Sequence, residues 1–269
     1  MSDPMQLRIR HVTRYDFDAP VPFGLQQLRK TPKSFRNQKV LEWTTEVTGG
    51  RKELAFEDCH RNTVELVSFE PNTDHVELVS SGIVEIADTS GIVGPHEGAV
   101  PLWLFDRETD RTAAGAGVKA LLRDLPEGET LDRLHALSHL IHEAVTYETG
   151  ASDPDWTAED ALKAGRGVCQ DHAHVFISAA RALGCPARYV SGYLMMNDRE
   201  VQEATHAWAE THVDGIGWVG FDVSNGISPD ARYVRVATGL DYGEAAPIIG
   251  SRTGTAGEDL SVRLEVSQQ

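Results

Sequence analysis

The amino-acid sequence predicts an α+β protein, with an N-terminal antiparallel β domain over residues 1–100 and a mixed helix and strand domain over residues 101–269. Two patterns support this fold class. Up to residue 88, apolar and polar residues alternate in short segments, which is typical of half-buried strands. Beyond residue 116, apolar residues recur at intervals of three and four, as they do on the buried face of a helix. Strands and helices that are segregated along the chain are typical of α+β folds.

The first segments carry the clearest β signal. Leu7 and Ile9 alternate with arginines, so one face of this stretch is apolar. Further segments rich in Val, Thr, Trp and Phe follow at residues 40–47, 52–57, 62–69 and 76–86. Gly-Gly and Pro-Asn pairs separate them as turns. This order of strands and turns predicts an antiparallel sheet or sandwich.

Residues 89–111 are punctuated by glycine and proline and are predicted to connect the two domains. Within this stretch, residues 101–105 are too apolar for a free linker, so they should pack against one domain. We expect His96 to face the solvent.

Helical periodicity begins at residues 117–125 and is stronger at residues 131–145. The second of these helices carries His135, His139 and His142 at spacings of four and three. Such spacing could hold a metal ion. Because no Glu or Cys supports the pattern, a solvated helix face is the favoured interpretation.

A shorter helix opens at Thr157 with a capping-box pattern and ends at Gly165. Gly165 and Gly167 then permit a tight turn that leads into Cys169. The apolar spacing beyond the cysteine predicts another helix with one buried face, which ends at Gly184.

The start of that helix is a position where a thiol becomes reactive. Cys169 would feel the positive end of the helix dipole and the unpaired N–H groups of the first turn. Both favour the thiolate, and the same N–H groups could stabilise an oxyanion. Alternatively, Cys169 is a small buried hydrophobe, which is the commonest role of a free cysteine.

Tyr147 and Trp156, just upstream, either line an acyl-donor groove or simply pack, and packing is slightly favoured.

Two residues farther along the chain favour the catalytic interpretation. His206 and Asp222 flank an Asp-Gly pair that is typical of a hairpin turn. If residues 205–213 and 218–223 pair across that turn, the two side chains come within a residue or two of facing each other. Cross-strand Cβ atoms lie about 5 Å apart, so a carboxylate can orient an imidazole. Cys169, His206 and Asp222 thus suit the roles of nucleophile, general base and orienting group.

A metal site is the alternative for the segment around the cysteine. Cys169, His172 and His174 have a spacing that resembles zinc ligands. On a helix, however, residues 172 and 174 are about 200° apart and point away from each other. No nucleotide or flavin motif is recognised either, so no metal and no cofactor is expected.

Four segments closely resemble the core of the bacterial transglutaminase-like superfamily. They are Gly-Val-Cys-Gln-Asp-His-Ala-His at 167–174, Pro-Ala-Arg-Tyr-Val-Ser-Gly-Tyr-Leu at 186–194, His-Ala-Trp-Ala-Glu at 206–210 and Gly-Trp-Val-Gly-Phe-Asp-Val-Ser-Asn at 217–225. The resemblance implies a papain-like fold with Cys169, His206 and Asp222 as a catalytic triad. Segments at residues 11–17 and 28–32 resemble the N-terminal β domain that often precedes this core.

The sequence departs from the family pattern at three positions. His172 stands where an aromatic or apolar residue is usual, and Val223 and Ser224 stand where Pro-Thr is common. None of the three belongs to the triad, so these departures bear on the shape of the pocket.

Composition excludes several functional classes. The net charge of −16 argues against nucleic-acid partners and against an anionic membrane surface. No apolar run approaches the roughly 18 residues of a membrane span, and no signal peptide is recognised. Three scattered cysteines, Cys59, Cys169 and Cys185, do not form a disulfide framework, so a cytoplasmic location is expected.

These observations lead to a hypothesis of cysteine-dependent acyl transfer on an amide of a protein or peptide, through a thioester. With water as the acceptor the enzyme is a peptidase or amidase, which is the favoured outcome. A true transglutaminase with an amine acceptor is the first alternative. A non-catalytic binding module on the same scaffold and a metal hydrolase are the others.

Overall fold

The computed structural model describes residues 4–269. In chain order, its strands are β1 (Met5–Val21), β2 (Phe23–Thr31), β3 (Gln38–Thr48), β4 (Gly50–Glu57), β5 (Thr63–Phe69), β6 (Thr73–Ile86), β7 (Ile92–Gly94), β8 (Thr146–Tyr147), β9 (Arg166–Gly167), β10 (Ala187–Leu194), β11 (Val201–Gln202), β12 (His206–Val213), β13 (Gly217–Phe221), β14 (Tyr233–Gly239), β15 (Ile248–Thr253) and β16 (Glu258–Gln268). The helices are α1 (Ala116–Arg123), α2 (Thr130–Ala144), α3 (Ala158–Ala164), α4 (Cys169–Ala182) and α5 (Tyr242–Ala245). The predicted α+β fold class is confirmed.

Two antiparallel sheets form the N-terminal part of the molecule. One has the strand order β11-β16-β1-β6-β3, and the other has the order β15-β2-β5-β4. Alternate residues of the long strand β1 are buried, in the period-two pattern that the sequence predicts. Both sheets contribute side chains to one apolar core, among them Tyr15, Phe17, Leu28, Val67 and Leu78. The predicted antiparallel β domain is therefore confirmed.

The sheets do not follow the predicted division at residue 100. β16 pairs with β1 and β15 pairs with β2, so the last strands of the chain complete the N-terminal sheets. Conversely, β7 pairs with β13 in the later part of the molecule. Strand pairing thus crosses the predicted boundary between residues 1–100 and 101–269 in both directions. The physical reason is that a sheet edge has unpaired backbone groups and accepts any matching strand, whatever its position in the sequence.

The core sheet has the order β14-β10-β12-β13-β7, and α4 packs against one of its faces. Tyr189 of β10 belongs to the apolar cluster around α4, where Phe176 stacks on Phe221 with 4.8 Å between ring centroids. Successive residues of a strand point to opposite faces. Arg188 and Val190, on either side of Tyr189, therefore lie on the face away from α4, which borders the N-terminal strands.

Helix α4 is buried more completely than predicted. The sequence periodicity predicts one buried face, but residues 171–181 are all buried because α1, α2 and α3 cover the side away from the sheet. The buried guanidinium of Arg181 donates to the carbonyl oxygens of Phe105, Ala187 and Leu240. These bonds tie the helix to its surroundings. None of the helices in residues 4–269 is long and apolar enough to cross a membrane.

The connecting segment packs against the core sheet. Phe105, in a 3₁₀ turn at Leu102–Asp106, is buried against Trp218 and Leu240, which confirms that residues 101–105 are not a free linker. His96 is half-buried and not solvent-facing as expected. It donates to the Val100 carbonyl at 2.6 Å and accepts from the Trp218 indole N–H at 3.2 Å, because the loop folds back onto β13.

Two leucines of β16 test how this strand closes the N-terminal sheet. Leu264 is fully buried, whereas Leu260 on the same strand is 51% exposed. We predict that Leu264→Ala lowers the free energy of unfolding by about 2–5 kcal/mol, because it opens a cavity in the core. Leu260→Ala should change it by less than about 0.5 kcal/mol. Urea denaturation measures both values, and equal losses would contradict the placement of β16.

Candidate active site

The chain enters the site through a turn that glycine makes possible. Gly165 ends α3 in the left-handed region, with φ of 65°. At Gly167 a Cβ would lie only 2.7 Å from the Asp171 side chain. That carboxylate accepts from the backbone N–H of Val168 at 2.7 Å and so caps the start of α4. The predicted helix start at Cys169 is confirmed, and the turn holds the sulfur at the first residue of the helix.

His172 fixes the neighbouring segment to the same helix end. Both of its ring nitrogens face carbonyl oxygens, that of Val168 at 2.9 Å and that of Val145 at 2.8 Å. Tyr147, two residues after Val145, lies with its ring 6.2 Å from the His172 ring at 30°. His172, the departure from the family pattern, therefore joins the segment at Val145 to the start of α4 and lies near the ring of Tyr147.

The predicted hairpin supplies the other two residues. β12 and β13 pair antiparallel, with Ala209 opposite Phe221, so His206 and Asp222 leave the same end of the ribbon. The His206 Nε2 atom lies 2.6 Å from the Asp222 Oδ2 atom. The thiol of Cys169 is among the groups that raise the pKa of this ring, so it lies near His206. The structure thus brings together all three residues singled out from the sequence.

Asp222 is a fully buried carboxylate with further donors around it. The hydroxyl of Ser224, the amide of Asn225 and the phenol of Tyr233 each donate to it at 2.7 Å. Burial by itself raises the pKa of a carboxyl group, but hydrogen bonds from His206, Tyr233 and Asn225 lower the pKa of Asp222 to about 2. Asp222 is therefore ionised at neutral pH.

Sequence reasoning did not identify these three donors. Ser224 and Asn225 directly follow Asp222, so their nearness was available as a signal. Tyr233 gave no signal, because β14 reaches the carboxylate only through the order of strands in the sheet.

The environment of His206 favours the imidazolium. Burial acts to lower the pKa of this ring, but hydrogen bonds with Asp222 and with the Cys169 thiol raise it to about 10. Trp208 stacks near the ring, with 6.3 Å between centroids, and Tyr233 lies 5.9 Å away on a tilted plane. A protonated ring beside a sulfur stabilises the thiolate, so the arrangement can supply a nucleophile and a proton donor.

One side of the site is open. Cys169 is half-buried and Trp156 packs against the same apolar cluster. Tyr147 is 53% exposed. Partial burial, followed by the charges of Cys169 and Asp222, raises the pKa of Tyr147. Because Cys169 is itself only partly buried, a substrate can reach it from outside.

The histidines considered as metal ligands have other partners. The His174 Nε2 atom accepts from the Tyr242 backbone N–H at 3.1 Å, on another side of α4 from His172. His135, His139 and His142 are exposed on α2, as the solvated-face interpretation expects. His142 also donates to the Val223 carbonyl at 2.8 Å. Across residues 4–269, no three His, Cys, Asp or Glu side chains are placed to hold one ion.

Comparisons with known proteins match both parts of the chain. Residues 119–223 match the model of the transglutaminase-like superfamily core. Residues 7–85 match that of the bacterial transglutaminase-like N-terminal region. The first match contains Cys169, His206 and Asp222, and the second covers most of the N-terminal strands.

Relatives occur in mycobacteria. An uncharacterized protein of Mycobacterium leprae is 27% identical over 279 aligned residues, which cover 98% of this chain and 99% of the relative. An uncharacterized protein of Mycobacterium tuberculosis is 35% identical over 136 residues, which cover 47% of this chain and 43% of the relative.

A solved structure shares the whole fold. It is a candidate cysteine protease from Cytophaga hutchinsonii, with a TM-score of 0.80 at 20% identity, covering 99% of this chain and 91% of that chain. The fold is therefore that of the papain-like cysteine proteases, with a cysteine at the start of the central helix. The chain belongs to the transglutaminase-like superfamily and carries its bacterial N-terminal region.

Cysteine alkylation tests the proposed activation of the sulfur. Burial raises the pKa of both Cys59 and Cys185, so these thiols react slowly at low pH. We predict that iodoacetamide labels Cys169 about tenfold faster than Cys59 near pH 6, because the imidazolium of His206 stabilises the thiolate.

Peptide mass spectrometry measures the extent of labelling at Cys59, Cys169 and Cys185 in one sample. His206→Ala should abolish the faster labelling of Cys169 relative to Cys59. Labelling of Cys169 no faster than that of Cys59 in the unmodified protein would contradict the activation.

Tyr233→Phe tests the hydrogen-bond support of Asp222. The pKa of Asp222 is lowered from 3.8 to about 2, so its stabilising contribution is complete above 3.8 and is lost as pH falls through about 2. Without the phenol this pKa rises, and acid unfolding should begin at a higher pH. The free energy of unfolding at neutral pH should also fall by about 1–3 kcal/mol.

Tyr15→Phe is the matched control, because Tyr15 is a buried tyrosine of the N-terminal core. Circular dichroism during acid titration measures both variants. An acid-unfolding curve that moves equally in the two variants would show that Tyr233 has no special effect on Asp222.

Proposed function

We propose that this protein catalyses cysteine-dependent acyl transfer on an amide of a protein or peptide, with hydrolysis as the main outcome. The observation that carries the proposal is the 2.6 Å contact between His206 Nε2 and Asp222 Oδ2, at a ring whose pKa is also raised by the thiol of Cys169. Cys169 is the nucleophile, His206 moves the proton and Asp222 holds the ring. The proposal requires no metal or cofactor.

In the first half of the reaction, the Cys169 thiolate attacks the amide carbonyl carbon. A C–S bond forms, and the π electrons of the carbonyl move onto its oxygen. The backbone N–H of Cys169 lies in the first turn of α4, where N–H groups have no partner within the helix and can bind this oxyanion. When the oxyanion collapses, the C–N bond breaks. His206 gives its proton to the leaving amine, and a thioester remains on Cys169.

In the second half, an acceptor attacks the thioester. His206, now neutral, takes a proton from the acceptor while Asp222 stabilises the imidazolium that forms. A new tetrahedral oxyanion forms and collapses, the C–S bond breaks, and Cys169 returns as a thiolate beside the imidazolium. With water the product is a carboxylic acid, and with an amine it is a new amide.

The open side of the site supports hydrolysis over amine transfer. Transfer to an amine requires that water be kept from the thioester. Cys169 is only partly buried, so water has access to it. A true transglutaminase remains the alternative that the following assay separates.

The assay uses peptides from a proteolysed cell extract, incubated with the protein in the presence and absence of a labelled primary amine. We expect new carboxyl groups at cleaved or deamidated amides, identified by mass spectrometry. Cys169→Ser should abolish them because no thioester can form, whereas Cys59→Ser, at an exposed thiol, should not. A chelator should have no effect. Incorporation of the amine instead of water would identify a transglutaminase, and no change in any peptide would favour a binding module.

Asp222→Asn should lower the rate of the same reaction by about 10²–10⁴, because an amide does not stabilise the imidazolium as a carboxylate does. Asp214→Asn is the control, since Asp214 is an exposed aspartate in the turn of the same hairpin. Steady-state kinetics on an identified peptide measure both. A rate that falls equally in the two variants, or in neither, would contradict the role given to Asp222.

A further inference from the structure

A second cleft lies away from Cys169. It has a volume of about 230 Å³ and is lined by residues of the 32–36, 57–63 and 93–97 segments together with side chains of β10, β13 and β14. The strand residues come from the face of the core sheet opposite α4. The cleft therefore lies where the N-terminal part meets the core sheet, and the proposed reaction does not use it.

Two arginines at the floor of the cleft share one carboxylate. Arg188 and Arg235 donate to the same Glu210 oxygen at 2.7 and 2.8 Å. The arginine side chains are each 10% exposed and that of Glu210 is 1% exposed. Among residues 4–269, the buried Nε of Arg235 has no hydrogen-bond partner. Two arginines therefore face one carboxylate, which leaves one positive charge without a counterion in the described part of the chain. The Nε–H group of Arg235 also remains free to donate a hydrogen bond.

A lysine adds to this charge. Lys33 donates to the His60 carbonyl at 2.8 Å and to the Thr238 hydroxyl at 3.0 Å, both uncharged acceptors. Burial, followed by the positive charges of Arg235 and Arg188, lowers the pKa of Lys33. Three basic side chains therefore crowd one buried region around a single carboxylate, and an added anion would favour the protonated form of Lys33.

The rim of the cleft carries two further arginines. A Cβ at Gly94 would lie 3.4 Å from Arg36 Nη1, and a Cβ at Gly98 would lie 3.4 Å from Arg61 Cδ. Both arginines therefore lie along the 93–98 loop. Their guanidinium groups are exposed and can turn toward a ligand in the cleft.

The acidic residues of the cleft do not cancel this charge. The lining contains five residues of Lys or Arg but only two acidic ones, Glu57 and Glu97. Glu57 is 66% exposed and lies 3.9 Å from Arg61. Asp58, on the same side, is paired with Arg29 at 3.3 Å. In a chain of net charge −16, such a concentration of basic side chains favours an anionic ligand.

We propose that this cleft binds a small molecule through an oxyanion group, either phosphate or carboxylate. The planar guanidinium groups of Arg235 and Arg36 match the oxygens of both groups, and Lys33 supplies a point charge. Ligand pockets commonly measure about 300–1,000 Å³, so a cleft of 230 Å³ suits a small metabolite and not a polymer. This binding does not depend on the reaction proposed for Cys169.

Isothermal titration calorimetry of the full chain tests the proposal, with inorganic phosphate and malonate as probes at constant ionic strength. We expect saturable binding of at least one probe. Preference for phosphate would identify a phosphate ligand, and preference for malonate a carboxylate ligand. Arg36→Gln and Lys33→Gln should each weaken binding about tenfold, because the first removes a charged hydrogen-bond donor and the second removes an amine that a bound anion would keep protonated.

Arg199→Gln is the matched control, since Arg199 is exposed and pairs with its neighbour Asp198 outside the cleft. Arg36 is itself exposed, so its replacement should leave the fold intact, which a thermal melt verifies. Binding that is retained in Arg199→Gln and weakened in Arg36→Gln supports the site. The proposal is overturned if neither probe saturates, or if all three variants bind as the unmodified protein does.

Discussion

A buried negative charge organises the active-site end of the molecule. The Asp222 carboxylate is fully buried, and an ionised group in that position is tolerated only where hydrogen bonds surround it. Its donors come from β12, from the loop after β13 and from Tyr233 of β14. These hydrogen bonds fix the positions of the three chain segments relative to one another. The imidazole of His206 is one of the donors, so the same requirement also orients the ring toward Cys169.

Helix α4 holds the sulfur of Cys169 in place opposite the His206 ring. α4 is buried on all sides although it carries His172, His174 and Arg181. Each of these polar side chains bonds to backbone groups of neighbouring segments, which are the partners a buried polar group needs. The helix therefore cannot rotate or slide without breaking several buried hydrogen bonds. This rigidity keeps Cys169 at a constant distance from a ring that arrives on a separate β-ribbon.

The two faces of the core sheet have different chemistry. The face toward α4 is apolar and holds the helix that carries the sulfur, whereas the opposite face presents Arg188, Glu210 and Arg235 to the N-terminal strands. β14 joins the two regions, because Tyr233 bonds to Asp222 while Arg235, two residues later, lies in the basic cleft. Strands β15 and β16 return to the N-terminal sheets, so the end of the chain ties the core sheet to the N-terminal strands.

Local features could be predicted from the amino-acid sequence alone: the period-two strands, the helix that starts at Cys169, and the hairpin that carries His206 and Asp222. Each depends on residues close together in the chain, where spacing and turn chemistry act directly. Which strands share a sheet became clear from the three-dimensional fold, in which residues 248–268 complete the N-terminal part. The fold also shows that Tyr233 supports Asp222 and that Lys33 meets Arg188 and Arg235. These contacts join distant segments, and their energies depend on burial and charge, which no local pattern encodes.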